Sequence, residues 1–168
     1  MARKYKELPS AELLRSILSY DENTGVLTWK SKLSRKTVID SEAGTVNLNG
    51  YRQIQIQGQI YMAHRVAYKI KTGIDCLLDH RDLNRLNNAF LNLRPCSESQ
   101  NNMNRSIQSN NTTGFKGVSF HKGRNQYLAY AKIDGVMFFG GWHSNAKSAA
   151  ASAENLRKKI HGDFNRNG

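Results

Sequence analysis

Apolar and polar residues alternate from Tyr51 to Gln57, which is the pattern of a strand with one buried face. Gly58 then predicts a tight turn, and Ile60–Ala63 provides the returning strand of a hairpin. Apolar residues at helical spacing follow, so we predict a helix over His64–Lys71. The helix is expected to end at Gly73, because glycine adopts a left-handed backbone at little cost.

Two shorter elements are predicted ahead of this hairpin. Ser10 is placed to cap a helix that ends near Tyr20, and turn residues then lead into a strand over Val26–Trp29. The polar stretch from Lys30 to Ser41 predicts a surface loop. Helices and short hairpin strands in this order are typical of an α+β domain.

The end of the chain predicts a second unit with its own sheet and helix. Asn102–Thr113 has almost no apolar content and predicts an extended linker. A helix is predicted from about Asn145 to His161, with Ser144 or Asn145 as its cap. Three strands are predicted between them, over Phe115–His121, Gln126–Ile133 and Val136–Trp142.

The two faces of the middle strand differ in chemistry. One face carries Tyr127, Ala129, Ala131 and Ile133. The other carries Gln126, Leu128, Tyr130 and Lys132. Small and apolar residues recur at helical spacing in the final helix, at Ala149, Ala153, Leu156 and Ile160. We therefore expect the helix to pack closely on the sheet.

The charge of the chain indicates a polyanionic partner. The net charge is +12 over 168 residues, with a pI near 9.9. A solvated basic surface would explain such an excess without any partner, but aromatic residues lie among the Lys and Arg, which favours nucleic acid. The segment from Arg105 to Gly168 is the more basic part, with ten Lys and Arg against three Asp and Glu.

No apolar run is long enough to span a membrane, and the N-terminal residues have no secretory pattern. We therefore expect a soluble, intracellular protein. Cys76 and Cys96 belong to no C-x-x-C pair, so free, largely buried thiols are expected rather than a structural zinc site.

The segment DHRDLNRLNNAFLNLRPCSESQN, from Asp79 to Asn101, carries the candidate chemistry. Asp79-His80 follows an apolar strand end, and Asn92-Leu93-Arg94 is expected to pair back against it as a second strand. Ser97 to Gln100 has the S-x-x-Q form of a capping box, so a helix should begin there. This order brings Asp79, His80, Asn92 and Asn101 towards one small site. Carboxylate and amide oxygens suit a hard cation such as Mg²⁺, and an imidazole can take a proton from water.

This constellation resembles the ββα-metal motif of the HNH endonuclease family. The segments Asp21–Trp29, Asn49–Ile56 and Ala63–Ala67 are similar to the elements that precede the motif in phage-type HNH proteins.

The resemblance implies hydrolysis of a DNA phosphodiester with one divalent metal ion per active site, Mg²⁺, for which Mn²⁺ could substitute. Asp79 and Asn101 would hold the ion, although the adjacent Asn102 is an alternative to Asn101. His80 would be the general base, and Asn92 would brace the catalytic loop. Arg65, Arg81 and Arg94 are candidate phosphate contacts, each with surface charge alone as its alternative. His64 is expected to pack against the hairpin rather than act at the site.

The C-terminal segment resembles the AP2/ERF DNA-binding domain. The resemblance rests on Gly114–Val118, Gln126–Ile133, Phe139–Trp142 and the closing His161–Asn165. It implies that the outer face of the sheet contacts DNA through Lys116, Ser119, His121, Tyr130 and Lys132. Plant members have arginine at several of these positions, so looser sequence preference is expected here. An oligomerisation module is the alternative for this segment.

The sequence thus predicts an α+β protein in which a ββα-metal (HNH) nuclease domain over 1–104 and a linker over 105–113 precede an AP2-like domain over 114–168, a three-stranded antiparallel sheet plus a helix. We expect a site-specific nicking homing endonuclease that acts on double-stranded DNA as a monomer, in the cytoplasm of the bacterial host of a phage. One alternative is a DNA-binding regulator with a vestigial nuclease site. Another is a nuclease that acts on branched or single-stranded DNA.

Overall fold

The computed structural model describes residues 6–35, 37–103, 107 and 110–161. The chain is a mixed α/β protein with several small antiparallel sheets, and it divides into two compact units, Met1–Cys96 and Ser97–Gly168. Within the described ranges, no helix has the length and apolar character that crossing a membrane requires.

The first unit contains two helices and three small antiparallel sheets within its described residues. The helices are α1 (Ala11–Ile17) and α2 (Ala63–Thr72). The sheets pair β1 with β2, β3 with β4 and β5, and β6 with β7. The strands are β1 (Leu18–Tyr20), β2 (Leu27–Trp29), β3 (Thr45–Val46), β4 (Arg52–Ile56), β5 (Gln59–Met62), β6 (Leu78–His80) and β7 (Leu93–Pro95), and a 3-10 turn, Phe90–Asn92, precedes β7.

The apolar face of the predicted hairpin forms the centre of this unit. Its largest fully buried apolar side chains are Leu14, Leu18, Leu27, Ile54, Ile56 and Val66. They come from α1, β1, β2, β4 and α2, so one core joins the hairpin to the elements before and after it. Burial of each such side chain stabilises the fold by about 1.5–3 kcal/mol.

Turn chemistry decides where the predicted elements end. The β4–β5 hairpin turns at Gln57 and Gly58, which both have positive φ (50° and 76°), as a tight hairpin turn requires. Gly73 ends α2 with φ 77°, which confirms the predicted left-handed cap. Ser10 accepts a hydrogen bond from the Leu13 amide (3.2 Å), which confirms it as the cap of α1.

One prediction for the first unit is wrong, and one strand was missed. The first helix does not continue to Tyr20, because Leu18–Tyr20 pairs antiparallel with Leu27–Trp29 as β1. The two-residue strand β3 was not predicted, and it pairs Thr45 with Gln53 on the edge of the hairpin. In both places cross-strand pairing overrides the local pattern.

The second unit is a three-stranded antiparallel sheet with a helix on one face, preceded by a short helix. Its elements are α3 (Glu98–Met103), β8 (Val118–His121), β9 (Gln126–Ile133), β10 (Val136–His143) and α4 (Ala146–His161), with the sheet order β10-β9-β8. Asn145 caps α4, since its Oδ1 accepts from the Ser148 amide (2.9 Å). The 126–133 strand and the Asp134-Gly135 turn, with φ 48° and 86°, are confirmed.

Small residues allow α4 to lie close to the sheet. Ala129, Ala149 and Ala153 are all fully buried between the two layers. A Cβ on Gly140 would lie 2.7 Å from Ser152 Oγ, which itself donates to the Gly140 carbonyl (2.6 Å). Close packing of α4, predicted from its alanine spacing, is therefore confirmed.

Three boundaries in the second half of the chain differ from prediction. β8 begins at Val118 rather than Phe115, because Gly117 has φ 74° and interrupts the extended backbone. β10 continues to His143, past a register shift between Phe139 and Gly141. The backbone of residues 102–103 continues α3, although these residues were expected in the linker. Residues 104–106 and 108–109 of that linker lie outside the described residues.

Candidate active site

The β6–β7 strand pair carries a buried ion pair. Asp79 and Arg94 are directly opposite each other in the register. Asp79 Oδ2 accepts from both Arg94 Nε (3.0 Å) and Nη2 (2.7 Å), and the two residues are only 6% and 7% exposed. The positive charge of the guanidinium therefore compensates the negative charge of the carboxylate, which is buried away from water. Sequence spacing placed both residues on paired strands, but it did not identify them as partners.

His80 ends β6 and is fixed by a loop residue. Its Nε2 donates to Asn88 Oδ1 across 3.0 Å, and both residues are buried. Burial is the main cause of a lowered pKa for His80, which the hydrogen bond with Asn88 opposes. The ring is therefore neutral at pH 7, in the protonation state that a general base needs.

Two aromatic rings from other elements surround His80. The His64 ring, at the start of α2, lies 5.1 Å from the His80 ring in an edge-to-face arrangement. The Tyr51 ring lies 5.7 Å from His64 and 6.0 Å from His80. Burial lowers the pKa of His64 to about 3, with the nearby His80 and Arg65 charges acting in the same direction. We call Tyr51, His64 and His80 the ring cluster; the hairpin and α2 thus position the predicted base.

Asn92 stabilises the loop between β6 and β7 through hydrogen bonds to other residues of that loop. Its Nδ2 donates to Asp82 Oδ1 (2.9 Å) and to the Asn87 carbonyl (2.7 Å), and its Oδ1 accepts from the Asp82 amide (3.0 Å). The Asn92 carbonyl also accepts from the Arg81 amide (2.9 Å). These bonds hold the chain directly after His80.

The arginines predicted to contact phosphate lie in different environments. Arg65 is buried and binds Asp75 through Nε (3.0 Å) and Nη2 (2.6 Å). Arg94 is buried against Asp79 as described, whereas Arg81 is exposed. Sequence reasoning did not select Arg85, which is exposed and lies over the Tyr51 ring. The proximity of Arg85 to Tyr51 depends on the fold of the loop, so no sequence pattern identified this arginine.

The predicted second metal ligand lies on the helix after the strand pair. Asn101 is part of α3 in the second unit, and its amide donates to the Ser97 carbonyl (3.0 Å). Ser97 Oγ accepts from the Gln100 amide (3.1 Å), and Gln100 Oε1 accepts from the Ser97 amide (2.7 Å). The predicted capping box is therefore confirmed. The side chain of Asn102 lies outside the described residues.

The candidate metal ligands of this site are oxygen donors, a carboxylate and an amide. Among the described residues, no three His, Cys, Asp or Glu side chains form a group that could hold a metal ion. Cys76 and Cys96 are free and half-buried, and burial raises the pKa of Cys96 to about 12. A carboxylate with an amide oxygen fits Mg²⁺, because Mg²⁺ keeps several waters and uses only one or two carboxylates.

The outer face of the β8–β10 sheet combines aromatic and basic side chains. Tyr130 and Lys132 lie on the face of β9 opposite the buried alanines. The His121 ring meets Trp142 edge to face at 5.5 Å, and the Arg124 guanidinium lies 4.9 Å from the centroid of Trp142. Sequence analysis did not select Trp142 or Arg124, which become neighbours only through the strand pairing. Of the other predicted DNA contacts, Ser119 lies on β8 opposite Leu128. The backbone carbonyl of Lys116 accepts a hydrogen bond from Arg157 Nη1 (2.6 Å).

Comparison with known proteins finds one family model that matches the segment containing this strand pair and its loop. Residues 61–103 match the model of a protein family described as HNH endonuclease. The matched residues include Asp79, His80, Asn92 and Asn101. The match supports an HNH nuclease domain in this part of the chain. HNH nucleases typically use a divalent metal ion. No curated protein and no solved structure matches the chain.

Proposed function

We propose that the protein is a metal-dependent endonuclease that hydrolyses one phosphodiester bond in duplex DNA, and that it is a site-specific nicking enzyme of the homing type. The observation that carries this proposal is the environment of His80. Its imidazole is neutral, held by Asn88, flanked by the other two rings of the ring cluster and adjacent in sequence to a buried carboxylate. All of these residues except Tyr51 lie in the segment that matches HNH endonucleases.

His80 acts as the general base in this proposal. A neutral imidazole can take a proton from the water that attacks phosphorus. The Asn88 hydrogen bond and the His64 ring restrict the rotation of His80, so the ring is oriented before DNA binds. Asn92 acts indirectly, since its three side-chain hydrogen bonds fix the loop that follows the base.

Asp79 is the proposed protein ligand of a divalent metal ion, Mg²⁺ or Mn²⁺, and Asn101 is the proposed second ligand from the sequence resemblance. When bound, the ion supplies Lewis-acid stabilisation of the charge that develops on the phosphate and on the leaving oxygen. Arg94 keeps the Asp79 side chain in one orientation through two hydrogen bonds. A fixed carboxylate loses less conformational entropy when it takes up a ligand.

The second unit is proposed to place the nuclease on its target. The outer sheet face offers Tyr130, Lys132 and His121, with Lys116 and Ser119 as further contacts from the AP2-like resemblance. Trp142 and Arg124 lie against His121 on this face and belong to the same proposed surface. Tethering two weak DNA-binding modules raises the overall affinity. With one active site per chain, a monomer is expected to cut one strand.

A plasmid assay tests the nuclease proposal. Wild type and His80→Ala are incubated with supercoiled plasmid in Mg²⁺, Mn²⁺ or EDTA. Relaxed circles that form only with wild type and metal are the expected result, with DNA binding retained by His80→Ala. Plasmids that carry DNA from around the gene are included, because a site-specific enzyme requires its own target. DNA binding by wild type without cleavage in any metal would refute the nuclease and favour a DNA-binding regulator.

A further inference from the structure

One arginine of the β6–β7 loop contacts the hairpin instead of a carboxylate. Arg85 Cζ lies 5.0 Å from the centroid of the Tyr51 ring, the range of a cation–π interaction. Its Nη1 donates to the Asn49 carbonyl across 2.7 Å. These two contacts hold an exposed guanidinium against the β3–β4 turn and the start of β4.

Tyr51 also connects this guanidinium to the predicted base. The same ring lies 6.0 Å from the His80 ring, so Arg85 and His80 have a common neighbour. Arg85 is therefore placed near the predicted base by a ring that both residues contact.

The ion pairs of Arg65 and Arg94 distinguish these two arginines from Arg85. Arg65 binds Asp75 and Arg94 binds Asp79, both as buried ion pairs. Within the described ranges, no carboxylate forms an ion pair with Arg85. Its guanidinium retains further N–H groups beyond the one that binds Asn49, and this planar fork matches the oxygens of a phosphate.

We propose that Arg85, held on Tyr51, contacts a backbone phosphate of the DNA at the nuclease site. This inference rests on the proposed function, because it names a substrate contact of that same site. The guanidinium would position the phosphodiester beside His80 and stabilise negative charge on its oxygens. Tyr51 is then a positioning residue, since it fixes the arginine and does not itself need to contact DNA.

The test compares Arg85→Ala, Arg85→Lys and Tyr51→Leu with a charge-matched control, Arg35→Ala. Arg35 is exposed in the loop after β2. Nicking of supercoiled plasmid is measured in Mg²⁺ at saturating protein. We expect Arg85→Ala to slow nicking about 10- to 100-fold, the equivalent of one lost hydrogen-bonded charge contact. Arg85→Lys and Tyr51→Leu should lose part of that rate, and Arg35→Ala should match wild type. Equal rates for Arg85→Ala and Arg35→Ala would overturn the proposal.

Binding provides a readout that a purely structural role would not change. Affinity for a short labelled duplex is measured in EDTA over a range of salt concentrations. Loss of one phosphate contact should lower the slope of log affinity against log salt by about 0.9 in Arg85→Ala. An unchanged slope would refute the contact. If wild type binds but never nicks, the nuclease proposal fails, and the salt slope still decides whether Arg85 contacts phosphate.

Discussion

The imidazole rings of His64 and His80 meet edge to face, with their centroids 5.1 Å apart. Both rings are buried, and burial lowers the pKa of each. A proton on either ring would place a positive charge against the other, so the two rings remain neutral together at pH 7. The neutral form of His80 is the one that can accept a proton from water.

Acid should destabilise the first unit through His64. The pKa of His64 is about 3 in the folded chain, against an ordinary value of 6.5. The unfolded chain therefore binds the proton more tightly, and stability is lost as pH falls from about 6.5 towards 3. We expect His64 to contribute a slope of about 1.4 kcal/mol per pH unit in that window. Urea unfolding at pH 7 and pH 5 measures this slope. His64→Leu should remove it, and an equal pH dependence in both proteins would contradict the assignment.

Breaking the Asp79–Arg94 ion pair should be costly. Arg94→Met leaves a carboxylate buried without its partner, so we expect a loss of about 3–5 kcal/mol in the free energy of unfolding. The measurement is urea unfolding without divalent metal. The double variant Asp79→Asn with Arg94→Met serves as the control and should recover much of that loss, because the uncompensated charge is gone. Similar stability of the single variant and wild type would mean that the pair contributes little.

Asn92→Ala should lower both stability and nicking. Three side-chain hydrogen bonds to Asp82 and Asn87 disappear, for a total loss of about 1–3 kcal/mol. Nicking should fall as well, because the loop after His80 loses its fixed conformation. Asn84→Ala is the matched control, since Asn84 is exposed in the same loop and its Oδ1 accepts from the Leu86 amide (3.1 Å). Unfolding and plasmid nicking are measured on both, and identical behaviour would exclude a special role for Asn92.

The outer sheet face should carry part of the DNA affinity. Lys132→Ala is expected to weaken duplex binding and to lower its salt slope by about 0.9, as for one lost phosphate contact. Lys159→Ala removes the same charge from an exposed position on α4, which packs against the other face of the sheet. Fluorescence anisotropy across salt concentrations compares the two. A greater loss with Lys159→Ala would assign DNA binding to the helix side.

The sequence was sufficient to predict a helix end where a single residue type determines the backbone conformation. Gly73 ends α2, and Ser97 with Gln100 begins α3, because glycine and capping side chains have few alternatives. Leu18–Tyr20 was misassigned because its conformation depends on pairing with the strand Leu27–Trp29. The same dependence on contacts made in the folded chain explains which site residues the sequence did not identify. The motif spacing selected His80 and Asn92, whereas Tyr51 and Arg85 become neighbours only after the hairpin and the loop have folded.

The direct pairing of Asp79 with Arg94 across two three-residue strands limits how the chain length can vary in this domain. Side chains alternate between faces along a strand, so one inserted residue in β7 would turn Arg94 away from Asp79. The same shift would change the position of Asn92 relative to His80. Insertions should therefore accumulate in exposed stretches such as residues 32–35, while the alignment of β6 with β7 stays fixed across functional variants of this protein.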